Sequence, residues 1–200
     1  MRAEIYLVMD KNLRKELHYK DRAVKTTLMM LLLMIISTPT SFGQSTRDLD
    51  TRNGFRHFTL GTTPAENRNI VRDVYMTNVA NTPGYTIYEY IGESITSIGM
   101  IGVQSVSLHF FRNRLESVST LLSWGFTEYQ FEDLLQSLES LYGRAIPIRR
   151  TSNIVQGASW SGENVQLQLV RMHSRTGGRV FGVIEIRDLN LQRERTRNMF

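Results

Sequence analysis

Three histidines follow position 43 in this 200-residue chain: His57, His109 and His173. A zinc site usually shows a tight pair of histidines on one helix with a carboxylate beside them. These three fall in separate strand-like stretches, with no Asp or Glu at ligand spacing, so neither a metal nor a cofactor is expected. A serine nucleophile needs a sharp Gly-x-Ser-x-Gly elbow. Gly157-Ala158-Ser159-Trp160-Ser161-Gly162 misses that spacing, and Gly92-Glu93-Ser94 lacks the second glycine. Ser161-Gly162 reads as a turn after a strand. A phosphate loop needs a lysine, and every lysine of the chain precedes residue 26. Glu128, Glu132, Asp133 and Glu139 lie on or beside the polar face of one helix and read as a solvated face. An enzyme is therefore not expected. The alternative is a hydrolase whose carboxylates converge only in the fold, as glycosidase pairs do.

Two residue types remain for binding. All 17 basic residues after position 43 are arginine, the cation suited to bidentate contact with carboxylate or phosphate. Arg112, Arg114, Arg171, Arg175 and Arg179 cluster in sequence around two hairpin turns and form a candidate anion-binding set. Trp124 and Trp160 end strands. Large aromatics dominate small-domain cores, so both are expected inside. Trp160 is kept as a binding candidate should it be exposed.

The N-terminal segment bears on location. Leu28–Ile36 is an unbroken apolar run, preceded by Arg22 and Lys25 and followed by Ser37-Thr38-Pro39-Thr40. Small residues at Ser41 and Gly43 suit a cut after Gly43. Basic start, short apolar run and small-residue exit describe a secretory signal at 24–43. A membrane span would need about 20 apolar residues. Residues 1–23 are too long and too mixed in charge for a signal start, which places the natural beginning at Val24. The exported portion, 44–200, carries 17 basic and 15 acidic residues, a net of +2. That weak field argues against nucleic acid as a partner. With no cysteine, the chain has neither disulfides nor the residue that bacterial lipid anchors require. A periplasmic or secreted location follows, with no integral membrane span once the signal is removed.

The mature chain divides into a flexible leader (44–54), one domain (55–188) and a polar, arginine-rich tail (189–200). In the domain, Phe55–Leu60 reads as a strand. Thr63, Pro64 and Glu66 form a capping box, with proline at the first helical position. Ile70, Val71 and Val74 follow at helical spacing up to the turn Asn81-Thr82-Pro83-Gly84. Strands are expected at Tyr85–Ile91, Gly102–Phe111 and Leu115–Trp124, with Val106, Leu108 and Phe110 inward. A second helix opens at the Thr127/Gln130 capping box, runs a Phe131-Leu134-Leu135-Leu138-Tyr142 stripe and ends at Gly143. Strands near 155–160, Val165–His173 and Arg179–Asp188 follow.

The two helix starts match at a constant offset of 64: Gly61 with Gly125, Thr63 with Thr127, Glu66 with Gln130, Ile70 with Leu134. A tandem αβββ repeat follows from that offset. The expected fold class is α+β, an antiparallel sheet with two helices packed on one face.

Phe58-Thr59-Leu60-Gly61-Thr62-Thr63 before a helix, the Phe110–Leu115 hairpin, and a leucine-rich helix ending Leu141-Tyr142-Gly143 resemble a group of small exported bacterial modules. That group contains β-lactamase inhibitory protein and the small lipoprotein of the outer-membrane β-barrel assembly machinery. The resemblance covers 55–188 as a pattern of elements and transfers no functional residue. It implies a non-catalytic role, binding an unknown protein or envelope component.

Overall fold

The computed structural model describes residues 47–80, 82–174 and 178–198. The expected extension (1–23), the signal segment (24–43) and Arg175 lie outside the described residues. In chain order the elements are α1 (Arg47–Arg52), β1 (Gly54–Phe55), β2 (Phe58–Thr59), a 3-10 turn (Pro64–Glu66), β3 (Ile70–Arg72), α2 (Val74–Ala80), β4 (Tyr85–Tyr90) and β5 (Ser97–Ile98). They continue with β6 (Ile101–Phe111), β7 (Arg114–Leu122), α3 (Glu128–Tyr142), β8 (Ile146–Pro147), β9 (Ile154–Ser161), β10 (Val165–His173), β11 (Val180–Asp188) and α4 (Leu189–Arg197). The class is α+β.

Local sequence explains the central strands. Val106, Leu108 and Phe110 alternate with half-buried Ser105, Ser107 and His109, the period-2 pattern of a strand with one buried face. Arg112 and Asn113 both take positive φ, and this two-residue turn returns β6 into β7. β10 pairs antiparallel with β11 from Val165 opposite Asp188 to His173 opposite Val180, and Ser174 N–H donates to the Arg179 carbonyl just beyond. One nine-stranded antiparallel sheet results, ordered β3-β4-β6-β7-β11-β10-β9-β8, with β5 beside β6. The order mirrors itself about the centre, where β7 and β11 pair with Ser117 facing Arg187 and Leu121 facing Val183.

α3 follows its sequence closely. Thr127 and Gln130 close the capping box, and Gly143, at φ +80°, returns its N–H to the Glu139 carbonyl. Phe131, Leu134 and Tyr142 are buried, with Leu135 and Leu138 partly so. They pack against Leu108, Val118, Leu167, Leu169, Ile184 and Ile186 in the main core. Each fully buried Leu or Phe there contributes about 1.5–3 kcal/mol.

The segment after Thr63 departs from expectation. The Thr63/Glu66 box forms, but it opens only a 3-10 turn. Asn69 then takes φ +56°, and Ile70–Arg72 pair with Tyr88–Tyr90 as an edge strand. Val71 and Val74 are exposed, not core. Ladder pairing to β4 has outweighed a helix that Asn67 and Asn69 weaken. α2 caps the remaining edge of β4: the Thr77 hydroxyl accepts from the Ile87 N–H at 2.9 Å, and Asp73 N–H donates to the Ile87 carbonyl. At the opposite edge, β8 is two residues long and ends in Pro147.

The expected flexible leader and the expected polar tail both form helices where described. α1 sits in the stretch read as a leader, and its Leu49 is fully buried in the main core. Its Asp50 carboxylate accepts from the backbone N–H groups of Glu163, Asn164 and Val165 at 2.7–2.9 Å. Burial alone would raise that carboxyl, but the three donors outweigh it and hold Asp50 below its ordinary 3.8. A carboxylate held low stabilises the fold above its unfolded value and loses that contribution as pH falls through the folded one. Asp50→Ala is therefore expected to cost about 1 kcal/mol at pH 7, after discounting for solvent screening. Its deficit should shrink below about pH 4, as urea titrations at pH 7 and pH 3 would show.

Candidate functional site

The core side chains of the sheet face α3. The other face carries the alternate residues of each strand. Across its middle lie Glu89, Ser107, Ser119, Glu185, Gln168 and Ser159, paired strand to strand. α4 packs on this face, at the end where β6 turns into β7, with Arg195 reaching Glu116 and Tyr85. The segment read as a polar tail is thus an element of the fold. Asp188 caps α4 through the N–H groups of Asn190 and Leu191, and Leu191 is buried.

An ion pair fixes α4 in place. Arg195 Nε donates to both oxygens of Glu116, at 3.0 and 2.9 Å, and the guanidinium lies 5.2 Å from the Tyr85 ring centroid. The Glu116 side chain is only 4% exposed. Its position comes from a register shift: His109 pairs with Ser117 and Phe110 with Leu115, so Glu116 is an extra residue on β7. The sequence carried this signal unread. Leu115-Glu116-Ser117-Val118 places two polar residues between two core residues, one too many for period 2.

Beside this pair, the Tyr85 hydroxyl and His109 Nδ1 are 2.8 Å apart. Burial, then the Glu116 charge, pushes the Tyr85 phenol up. Burial lowers the imidazolium of His109, against an opposing pull from Glu185. An imidazole held neutral leaves the unfolded chain to take the proton first, so stability falls as pH drops below about 6.5. His109→Gln should remove that part of the slope between pH 7 and pH 5, read from urea midpoints. Among the described residues, no cluster of three or more His, Cys, Asp or Glu is placed to hold a metal ion. The two carboxylates nearest this pair, Glu116 and Glu185, are each bonded to an arginine, Arg195 and Arg187.

The other end of the same face is apolar. Leu121, Val183, Phe181 and Met172 are partly exposed there, and Trp124 is 47% exposed with its ring edge-to-face on Phe181 at 5.6 Å. The expectation that Trp124 is core fails because it lies past the last residue of β7 and its ring packs on Phe181, a residue of the face turned away from α3. Trp160 is core: it is 1% exposed, and its indole N–H donates to the Gly143 carbonyl at 2.8 Å. That burial removes it from the binding candidates.

The four described candidate arginines do not gather at one site. Arg112 and Arg114 stand at the start of β7, and Arg179 at the start of β11; because β7 and β11 run antiparallel, these are opposite ends of the sheet. Arg112 and Arg114 both bond Glu194 of α4, and Arg112 also donates to Asn198. Arg171 lies on the core side, donating to the Phe126 carbonyl and to Gln156. Arg179 is exposed.

The chain matches no protein-family model, no curated protein and no solved structure at a significant level. Among the described residues, no helix is long and apolar enough to cross a membrane.

Proposed function

We propose that this chain is an exported, non-catalytic binding protein, and that a protein partner in the cell envelope or outside the cell docks over the sheet face turned away from α3. One observation carries the reading: the half-exposed Trp124, stacked edge-to-face on Phe181 and flanked by Leu121 and Val183 on that face. Exposed aromatic clusters with polar surroundings are where binding energy concentrates. The serine, glutamine and paired-charge rows beside it form a rim able to hydrogen-bond. Trp124→Ala should weaken binding at least tenfold and leave urea stability nearly unchanged, as expected of an interface anchor that is not core.

The same reading treats the domain as a duplicated αβββ unit of the kind found in the β-lactamase inhibitory protein group. Gly61 and Gly125 support it: they stand 64 residues apart at φ +86° and +83°. Each donates its N–H to the opening of its half's last strand, to the carbonyls of Leu115 and Val180. Each precedes a Thr-led capping box. The mirror-like strand order about β7 and β11 supports it further. In the first half the helix has been replaced by a 3-10 turn and an edge strand.

A further inference from the structure

A cavity of about 270 Å3 opens between the Thr82-Pro83-Gly84 turn and α4, lined also by Phe111, Arg112, Arg195 and Asn198. It lies at the end of β7 opposite Trp124, and nothing in it depends on the docking face. Its walls are fixed by local chemistry. Pro83 and Gly84 are the central residues of a turn closed by Tyr85 N–H on the Thr82 carbonyl, with Gly84 at φ +73°. Arg112 N–H anchors that turn to β6 through the Gly84 carbonyl.

The two arginines enter from different elements. Arg195 uses Nε for Glu116, and its terminal nitrogens make no hydrogen bond to any described residue. Arg112 commits its terminal nitrogens to Glu194 and Asn198, and its Nε makes no such bond. Among the described residues, Arg112, Arg114 and Arg195 pair with the carboxylates Glu194 and Glu116, three positive charges to two negative. The volume falls below that of sites for drug-sized ligands, about 300–1,000 Å3. It suits a small ion. We propose that this cavity binds an oxyanion, a phosphate or carboxylate group held between Arg112 and Arg195 by charge-assisted hydrogen bonds.

The test is an NMR titration of the full chain with inorganic phosphate, with acetate, and with sodium chloride at matched ionic strength. Phosphate should move the amide signals of Gly84, Arg112 and Asn198 saturably, and chloride should not. Arg112→Gln should weaken phosphate about tenfold, the loss of one charge-assisted hydrogen bond. Arg179→Gln removes a charge at the opposite end of the sheet and should leave affinity within about twofold. Saturation by acetate as well identifies a carboxylate ligand; saturation by phosphate alone identifies a phosphoryl one. Linear shifts, equal shifts with chloride, or unchanged binding by Arg112→Gln would overturn the proposal.

Discussion

Arg195→Ala should cost the folded protein about 3 kcal/mol, the low end of the range for breaking a buried ion pair. The reason is Glu116. Its carboxylate sits under α4 at 4% exposure, and both oxygens are bonded to Arg195 Nε. Removing the guanidinium strands a buried charge and also deletes the contact over Tyr85, about 0.5–1 kcal/mol by itself. Arg195 is 23% exposed, so water can reach part of the gap and the upper end of the range is not expected. Replacing Glu116 and Arg195 together by leucine should recover most of the loss, because no unpaired charge remains. Urea denaturation of the native chain and these two variants measures both effects. A loss under about 1 kcal/mol for Arg195→Ala would place the pair among exposed salt bridges and leave α4 loosely held.

Trp160→Ala should cost more, about 3–5 kcal/mol. Trp160 is among the largest fully buried side chains and lies in the main core with Leu167 and Tyr142. Its indole N–H also ties β9 to the end of α3 through the Gly143 carbonyl. Trp160→Phe separates the two contributions. The ring still fills most of the volume, but Gly143 loses its donor, a penalty of about 1–3 kcal/mol. Chemical denaturation should rank the native chain above Trp160→Phe and that above Trp160→Ala. Equal stability of all three would contradict the placement of Trp160 in the core.

What the sequence made legible follows from how local the cause was. α3 and the strands from Tyr85 to Leu122 and Ile154 to Asp188 were readable because caps, turns and periodicity agree within each segment. The stretch after Thr63 misled because helical spacing at Ile70, Val71 and Val74 also fits a short edge strand, and only pairing with Tyr88–Tyr90 decides between them. α1 and α4 were invisible for a related reason. Each buries one leucine, Leu49 or Leu191, and takes its order from distant partners, Asp50 on the Glu163–Val165 backbone and Arg195 on Glu116. The same limit applied to the candidate site. Clustering of arginines along the chain said nothing of their ends of the sheet, which the antiparallel pairing of β7 with β11 sets far apart. Trp124 and Trp160 look alike in sequence; α3 covers one and leaves the other uncovered.

The most direct measurement is affinity capture from the envelope fraction, comparing the full chain with its Trp124→Ala variant and with a Tyr129→Ala variant. Tyr129 is exposed on α3, away from the proposed docking face. The account predicts a protein partner held equally by the native and Tyr129→Ala chains and lost from Trp124→Ala. A partner held equally by all three, one lost only from Tyr129→Ala, or no partner above background would contradict it.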